Sequence, residues 1–254
     1  MKKTITFIRS LLFSIFTVLT SIPLSIAFIV FWCPFFPNRR KNFDKVSAIW
    51  CKFTLWILKI TTGINWKVKG YEKLDKNKAY VIVGKHESTW DTLVMHTFMK
   101  PVPVFILKRE LLMVPFFGWC LALASKIAID RGGGASSIKK ILREGKIYIQ
   151  EGHNVVIFPQ GTRVLPESTA KEHPYKTGFI ALVKEMGVDI VPMALNSGKL
   201  WRKKQFLKHP GTITMEFMDP IKYEDVKKMS KEELLKKLET IIETKSQELN
   251  QEIK

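Results

Sequence analysis

The sequence predicts an α/β fold: a mixed, largely parallel sheet flanked by helices, preceded by a membrane-embedded two-helix anchor. Two observations support this prediction. No charged residue occurs from Ser10 to Asn38, where Leu, Ile, Phe and Val dominate. Beyond Thr62, short apolar runs typical of strands alternate with helical patterns. We therefore expect an anchor over residues 1–62 and a globular domain over residues 63–254.

The apolar N-terminal segment exceeds the ~20 residues that span a bilayer. It is also longer than the ~7–15 residues of a signal-peptide core, and no small-x-small cleavage site follows it, so we expect it to be retained. Pro23 interrupts it near its middle, and basic clusters at residues 2–9 and 39–41 flank both ends. A single span would show a charge bias toward one side, so this symmetry indicates a hairpin that dips into one leaflet.

The segment Val46–Ile60 predicts an amphipathic helix at the membrane interface. Apolar side chains recur there at helical spacing, with lysines on their flank: Phe53, Trp56, Ile57 and Ile60, beside Lys52 and Lys59. A core helix packed on the following domain is the alternative.

Seven apolar runs beyond this helix predict strands. They are Trp66–Val68, Ala79–Val83, Val104–Leu107, Ile127–Ile129, Val155–Phe158, Ile190–Ala194 and Thr212–Phe217. Helices are predicted at Thr92–Phe98, Ser136–Gln150 and Gly178–Met186, and a last helix begins at Ser230 with a Ser-x-x-Glu capping box. Its apolar positions make it an amphipathic lid on the core, to which we assign no chemistry.

Charge bounds the class of partner. Lys and Arg number 41 against 23 Asp and Glu, a net charge of +18 that would concentrate anionic partners. No nucleic-acid-binding motif is present, and an anionic lipid surface already accounts for the basic residues, so we expect no nucleic-acid partner. The metal-binding pattern His-Glu-x-x-His fails because position 90 is Trp. We therefore expect no metal site.

The hexapeptide His86–Asp91 places an imidazole and a carboxylate where a strand passes into a helix. Ligands bind at this edge of α/β sheets, and the pair is suited to general-base catalysis. The alternative is structural, because Ser88-x-x-Asp91 also fits a capping box at the start of the helix. Capping alone leaves His86 unexplained.

Three further blocks occur at strand ends or in a late strand. Lys108-Arg109-Glu110-Leu111, with Gly118 and Arg131 beyond it, follows one strand; Phe158-Pro159-Gln160-Gly161-Thr162-Arg163 overlaps the end of another; Ile190-Val191-Pro192-Met193-Ala194 is a late strand. Together with His-x4-Asp ahead of them, and in this order, these blocks resemble the glycerolipid acyltransferase family. The resemblance covers about Lys69 to Asn196.

The resemblance implies transfer of a fatty acyl group from acyl-CoA or acyl carrier protein to the sn-2 hydroxyl of 1-acylglycerol-3-phosphate, which gives phosphatidic acid. No cofactor is expected. Residues 63–254 would form the catalytic domain, on the cytoplasmic face of the cell membrane.

The resemblance also implies roles for individual residues. His86 and Asp91 would be catalytic. The residues expected to hold the acceptor's phosphate are Lys108, Arg131, Gly161, Thr162 and Arg163. Gln160, where the family usually has Glu, would position substrate; it keeps an acceptor but cannot offset Arg163 electrostatically.

Elementary chemistry agrees with these roles. A neutral imidazole with an ordinary pKa near ~6.5 can take the acceptor hydroxyl's proton, and Asp91 would orient the ring. Backbone N–H groups near the start of the Ser88 helix are the expected oxyanion donors. Ser88 is an alternative nucleophile, although direct attack needs no acyl-enzyme. Two alternatives stay open: acylation of another lysophospholipid or of glycerol-3-phosphate, and a non-catalytic membrane lipid-binding module.

Overall fold

The computed structural model of the chain describes residues 2–29, 39–124, 126–130 and 132–253. Its centre is a seven-stranded sheet in the order β1-β7-β6-β2-β5-β3-β4. All neighbouring strands are parallel except β6 and β7, which are antiparallel. The strands are β1 (Ile64–Lys69), β2 (Val81–Gly84), β3 (Val104–Lys108), β4 (Lys126–Ile129), β5 (Val155–Ile157), β6 (Ile190–Leu195) and β7 (Gly211–Phe217).

The predicted mixed, largely parallel α/β sheet is confirmed. Each of the seven predicted strands is present, with bounds within two residues of the prediction. The central strands β2, β5 and β6 are buried along their whole length. Because both of their faces are covered, they read in the sequence as unbroken apolar runs, which makes them recognisable.

Eight α-helices accompany the strands in the described part of the chain. They are α1 (Lys2–Ala27), α2 (Arg39–Thr62), α3 (Trp90–Phe98), α4 (Phe117–Leu123), α5 (Gly134–Gln150), α6 (Gly178–Met186), α7 (Tyr223–Lys228) and α8 (Lys231–Glu252). The apolar side chains of α3 belong to a core cluster with β6 and β7, whereas those of α5, α6 and α8 belong to a second cluster. The sheet therefore separates two hydrophobic cores.

The terminal helix α8 is the predicted lid on the core. Its capping box is present: the Glu233 amide donates to Ser230 Oγ at 3.1 Å, and the Ser230 amide donates to Glu233 Oε2 at 2.7 Å. Its buried apolar side chains are Leu234, Leu238, Ile242 and Leu249. The helix also carries Glu243, which forms a buried ion pair with Lys85 beyond β2.

The predicted interruption at Pro23 is wrong, because α1 continues through this residue. Proline removes one helical hydrogen bond, which can bend a long helix without ending it. By length and composition α1 could cross a membrane, and 11% of its most apolar window is buried. Residues 30–38 lie outside the described part, and a two-helix membrane anchor is not shown.

The helix α2 combines both interpretations of its sequence. Leu55 and Leu58 join the core beneath the sheet, while Phe53, Trp56 and Ile60 are exposed on the other side. Ile57, predicted to share the exposed face, is buried, because the packed face of the helix is wider than the sequence pattern indicated. The helix therefore packs on the domain and still presents an apolar surface outward.

Two contacts fix α1 to the rest of the protein. Arg9 Nε donates to the Thr61 carbonyl at 2.6 Å, and Ser10 Oγ accepts from the Lys208 amide at 2.9 Å. The division into an anchor (1–62) and a catalytic domain (63–254) stays a prediction.

Candidate active site

The strand β2 ends at Gly84 against its neighbour β6. A Cβ at position 84 would lie 2.8 Å from the Met193 carbonyl oxygen, so only glycine allows the two strands to approach this closely. The chain then passes through Lys85 to His86 and enters α3 at Trp90. His86 and Asp91 consequently lie together at the carboxyl end of a central strand, as predicted.

The imidazole and the carboxylate are in direct contact. His86 Nδ1 lies 2.7 Å from Asp91 Oδ2, and the Asp91 side chain is fully buried. An ionised carboxylate only accepts hydrogen bonds, so Nδ1 carries the proton and Nε2 is the nitrogen left to accept one. The His86 side chain keeps 18% of its surface exposed, which leaves the ring open to a substrate.

Three further donors hold Asp91. Its Oδ2 accepts from the amides of Glu87 at 2.9 Å and Ser88 at 3.0 Å, and its Oδ1 accepts from Ser197 Oγ at 2.5 Å. Ser197 follows β6 and is 106 residues away in the chain. The sequence analysis missed it, because the only local signal is a polar pair, Asn196-Ser197, directly after a buried strand.

The predicted capping box at Ser88 is wrong in its geometry. The helix α3 begins at Trp90, and Ser88 Oγ accepts from the Trp90 amide, two residues on, at 3.2 Å. The acid does reach back to the Ser88 amide, but its other bonds are to the Glu87 amide, His86 and Ser197. The bonds of Asp91 to His86 and Ser197 therefore take the place of a regular capping box.

These bonds remove three of the expected oxyanion donors. The amides of Glu87 and Ser88 are committed to Asp91, and that of Trp90 is committed to Ser88 Oγ. Ser88 itself is fully buried. None of these groups can reach a substrate in the described arrangement.

Phe158 packs against the face of the His86 ring. The rings of His86 and Phe158 are stacked, with centroids 4.1 Å apart and planes 15° apart. Phe158 follows β5, the neighbour of β2 on the side away from β6. The imidazole is therefore held at its edge by Asp91 and on its face by Phe158.

His86 opens on a cavity of about 830 Å³ at the carboxyl ends of the strands. Its walls away from His86 are mainly apolar: Phe105, Leu107, Leu121, Ile129, Ile138, Ile141, Phe179 and Leu182. A second cavity of about 210 Å³ lies among α1, α2 and α4 and shares Thr92, His96, Leu121 and Ala124 with the first. The apolar segment 111–119 contributes to both.

The Phe158–Arg163 block forms one rim of the larger cavity. Gly161 has φ +68°, a conformation that favours glycine, and Arg163 Nη1 donates to Thr89 Oγ1 at 2.8 Å. Thr162 Oγ1 accepts from Lys203 Nζ at 3.3 Å. Gln160 is buried, and neither of its amide atoms has a hydrogen-bond partner among the described residues.

The structure separates the predicted phosphate residues. Arg163 and Gly161 line the cavity with His86. Lys108 does not line it, and its Nζ forms an ion pair with Glu110 Oε1 at 2.6 Å. Arg131 lies outside the described residues. The roles of these residues in binding phosphate stay predictions.

Lys176 is a cation at this rim that the sequence analysis missed. Its amide donates to the Pro159 carbonyl at 3.0 Å, and its Nζ lies 3.1 Å from where a Cβ on Gly161 would be. It lines the cavity together with Arg163. No sequence motif singled it out, because its position depends on the fold bringing residues 159–161 against 176.

Behind the site lies a group of buried charges. Lys85 Nζ donates to Glu243 Oε2 at 3.0 Å and to the Ser168 carbonyl at 2.8 Å, and Tyr175 Oη donates to Glu243 Oε1 at 3.2 Å. Burial, and then the Glu243 carboxylate, raise the pKa of Tyr175, which keeps its hydroxyl protonated. The terminal helix thereby braces the chain next to His86.

Glu87 is fully buried beside the His86–Asp91 pair. Its Oε2 accepts from the Gly198 amide at 2.9 Å, and its Oε1 has no partner among the described residues. Burial raises the pKa of Glu87 from 4.5 to about 8, although Lys85 and the Gly198 amide act in the other direction. Glu87 is therefore mainly neutral at pH 7 and adds little negative charge beside His86.

Comparison with known proteins places the chain in a family. Residues 65–196 match the family model described as Acyltransferase, which is more than half of the chain, so the protein belongs to this family of enzymes. It is an acyltransferase.

Two individual relatives and one solved structure are similar to this chain. The chain is 39% identical over 183 residues to the 1-acyl-sn-glycerol-3-phosphate acyltransferase of Pseudomonas aeruginosa, covering 72% of this chain and 69% of that protein. It is 30% identical to the enzyme of the same name from Cocos nucifera, covering 68% of this chain but 54% of that protein. The crystal structure of the 1-acyl-sn-glycerophosphate acyltransferase PlsC from Thermotoga maritima matches with a TM-score of 0.73 over 98% of both chains, at 22% identity. The last similarity establishes the fold.

The burial of Glu87 predicts a pH dependence of stability. The folded-state pKa of about 8 exceeds the unfolded value near 4.5, so the folded chain holds an extra proton between these limits. Stability from this group is therefore present at low pH and is lost as pH rises toward 8, by at most ~1.4 kcal/mol per pH unit. Glu87→Gln, which cannot ionise, should unfold at a higher temperature than the wild type at pH 8, and the gap should shrink at pH 5.

Glu248→Gln, on the exposed face of α8, is the matched control and should show no such divergence. Parallel melting temperatures for the wild type and Glu87→Gln across this pH range would show that Glu87 does not titrate there.

Proposed function

We propose that this acyltransferase moves a fatty acyl group from acyl-CoA or acyl carrier protein to the sn-2 hydroxyl of 1-acylglycerol-3-phosphate, giving phosphatidic acid. The observation that carries the proposal is the His86–Asp91 pair, which opens on a large apolar cavity with Arg163 and Lys176 at its rim. One base, one acyl-sized space and two cations for a phosphate meet at a single place. The names of the relatives point to the same acceptor.

His86 acts as the general base in this proposal. Its Nε2 takes the proton of the acceptor hydroxyl as the oxygen attacks the thioester carbonyl carbon. The tetrahedral intermediate then collapses, the carbon–sulfur bond breaks, and the thiolate leaves with the proton returned from the imidazolium. Asp91 keeps the ring in the required tautomer and stabilises its positive charge without itself becoming protonated.

Direct attack by the acceptor is favoured over an acyl-enzyme. Ser88 Oγ has no exposed surface and accepts a hydrogen bond from the Trp90 amide. An enzyme nucleophile needs access to the substrate, and the buried Ser88 hydroxyl lacks it. A ternary complex of enzyme, donor and acceptor therefore fits the site better than a ping-pong reaction.

Arg163 and Lys176 are proposed to bind the acceptor's phosphate. Arginine presents a planar fork to phosphate oxygens, and lysine a mobile point charge. Lys108 and Arg131 stay proposed ligands by family resemblance. Gln160 is proposed as a determinant of acceptor choice, because its buried amide has unused donors and an unused acceptor beside the phosphate block.

The apolar walls of the two cavities suit acyl chains, and the exposed faces of α1 and α2 suit a bilayer. Tryptophan and lysine, both present on α2, are residue types enriched where a protein meets the lipid headgroups. We therefore propose attachment to the cell membrane, with the site on the cytoplasmic face, where acyl-CoA and acyl carrier protein are found. A positively charged protein also suits either acidic donor.

Removal of the base should abolish most of the activity. Detergent-solubilised protein is assayed with a panel of lysophospholipids, glycerol-3-phosphate and both donors. We expect the highest rate with 1-acylglycerol-3-phosphate, and a loss of ~10²–10⁴-fold in kcat for His86→Ala and for Asp91→Asn.

His209→Ala, which removes an exposed histidine outside the cavity, is the matched control and should keep wild-type activity. Undiminished turnover by His86→Ala would refute the proposed base. A higher rate with another acceptor would favour the sibling reactions, and binding of lysolipid without turnover of any acceptor would favour a lipid-binding module.

The rim cations should act on acceptor binding. Each charge-assisted contact to phosphate is worth ~1.5–3 kcal/mol, so Arg163→Met and Lys176→Met should each raise the KM for 1-acylglycerol-3-phosphate by ~10–100-fold. The KM for the donor should change little. Lys171→Met, an exposed lysine outside the cavity, is the control. A rise in donor KM instead would assign these cations to the donor's phosphates.

A further inference from the structure

The turn after β6 directs two polar groups at the loop that carries His86 and leads into Asp91. Ser197 Oγ donates to Asp91 Oδ1 at 2.5 Å, and the Gly198 amide donates to Glu87 Oε2 at 2.9 Å. The turn reaches this loop because β6 pairs with β2 up to Met193 and Gly84. Ser197, Asp91 and Glu87 all have fully buried side chains.

The fit between this turn and the loop is tight. A Cβ at position 198 would lie 2.7 Å from Pro166 Cγ and 3.0 Å from Glu87 Cβ, so a side chain there would push the turn away. Ser197 is therefore held at a defined distance from Asp91.

The two oxygens of Asp91 have different tasks. Oδ2 accepts from His86 and from two amides of its own loop, whereas Oδ1 accepts from Ser197. Bonds to one oxygen alone leave a carboxylate able to turn about its Cβ–Cγ bond. A donor on the second oxygen fixes the plane of the carboxylate, and that plane sets the direction of the bond to His86 Nδ1.

We infer that Ser197 is a positioning residue for the catalytic pair: it fixes the plane of the Asp91 carboxylate, and through it the direction of the His86 ring. This inference rests on the proposed function, in which His86 is the base. Ser197 does not touch the substrate, and its effect passes through Asp91. It should therefore change the rate of the chemical step and leave substrate binding unaltered.

The test is a double-mutant cycle between Ser197 and Asp91. In the otherwise wild-type enzyme, Ser197→Ala should lower kcat by about tenfold with the KM of either substrate within about twofold. In the Asp91→Ala enzyme there is no carboxylate to orient, so Ser197→Ala should cause no further loss. Ser197→Thr keeps the hydroxyl and should keep kcat within about threefold of the wild type.

Ser246→Ala is the matched control, because Ser246 is also fully buried and its hydroxyl has no partner among the described residues. It should leave kcat unchanged. An equal loss from Ser197→Ala with and without Asp91 would overturn the inference, as would no loss at all. If Ser197→Ala fails to fold, its melting curve will show this, and Ser197→Thr is then compared with the wild type. A tenfold lower kcat in a folded Ser197→Thr variant would overturn the inference. Full activity of His86→Ala would instead show that the proposed base is wrong.

Discussion

The buried carboxylate of Asp91 receives four hydrogen bonds, and the geometry of the candidate site depends on them. Three neighbouring strands contribute. The loop after β2 supplies His86 and two amides, the turn after β6 supplies Ser197, and the segment after β5 supplies Phe158 against the ring face. Because β6, β2 and β5 are adjacent in the sheet, they bring residues far apart in the chain together around the imidazole. Such preorganisation is what general-base catalysis requires.

A cluster of buried acids so close to a base would be unstable without compensation, and each acid here is accommodated differently. Asp91 accepts hydrogen bonds from four donors. Glu243 is offset by Lys85 and Tyr175. Glu87 is accommodated as a neutral acid, because burial outweighs the nearby lysine. The Asp91 carboxylate is therefore the acid that contacts His86. The ion pair of Lys85 and Glu243 lies behind it and ties the terminal helix α8 to the site.

The strands of the fold and the local part of the candidate site could be predicted from the sequence. The strands beside His86 were predictable because buried parallel strands are continuous apolar runs, and the pair His86 and Asp91 was predictable because both residues lie within one short motif. Ser197 and Lys176 were not, since each reaches the site through pairing of segments far apart in the chain. The same long-range contact misled the capping prediction at Ser88: Asp91 serves His86 and Ser197 as well as the local backbone. At Pro23 the helix α1 continues, because a proline inside a long helix removes one hydrogen bond without necessarily ending the helix.

In the proposed mechanism, the acceptor hydroxyl attacks the thioester directly while His86 removes its proton. The most direct measurement is to incubate the enzyme with acyl-CoA carrying an isotopically labelled acyl chain, without acceptor, and to follow thiol release and the intact mass of the protein. This mechanism predicts no stoichiometric release of thiol and no acylated protein until 1-acylglycerol-3-phosphate is added. Release of one equivalent of thiol, with the label retained on Ser88 or His86, would contradict it.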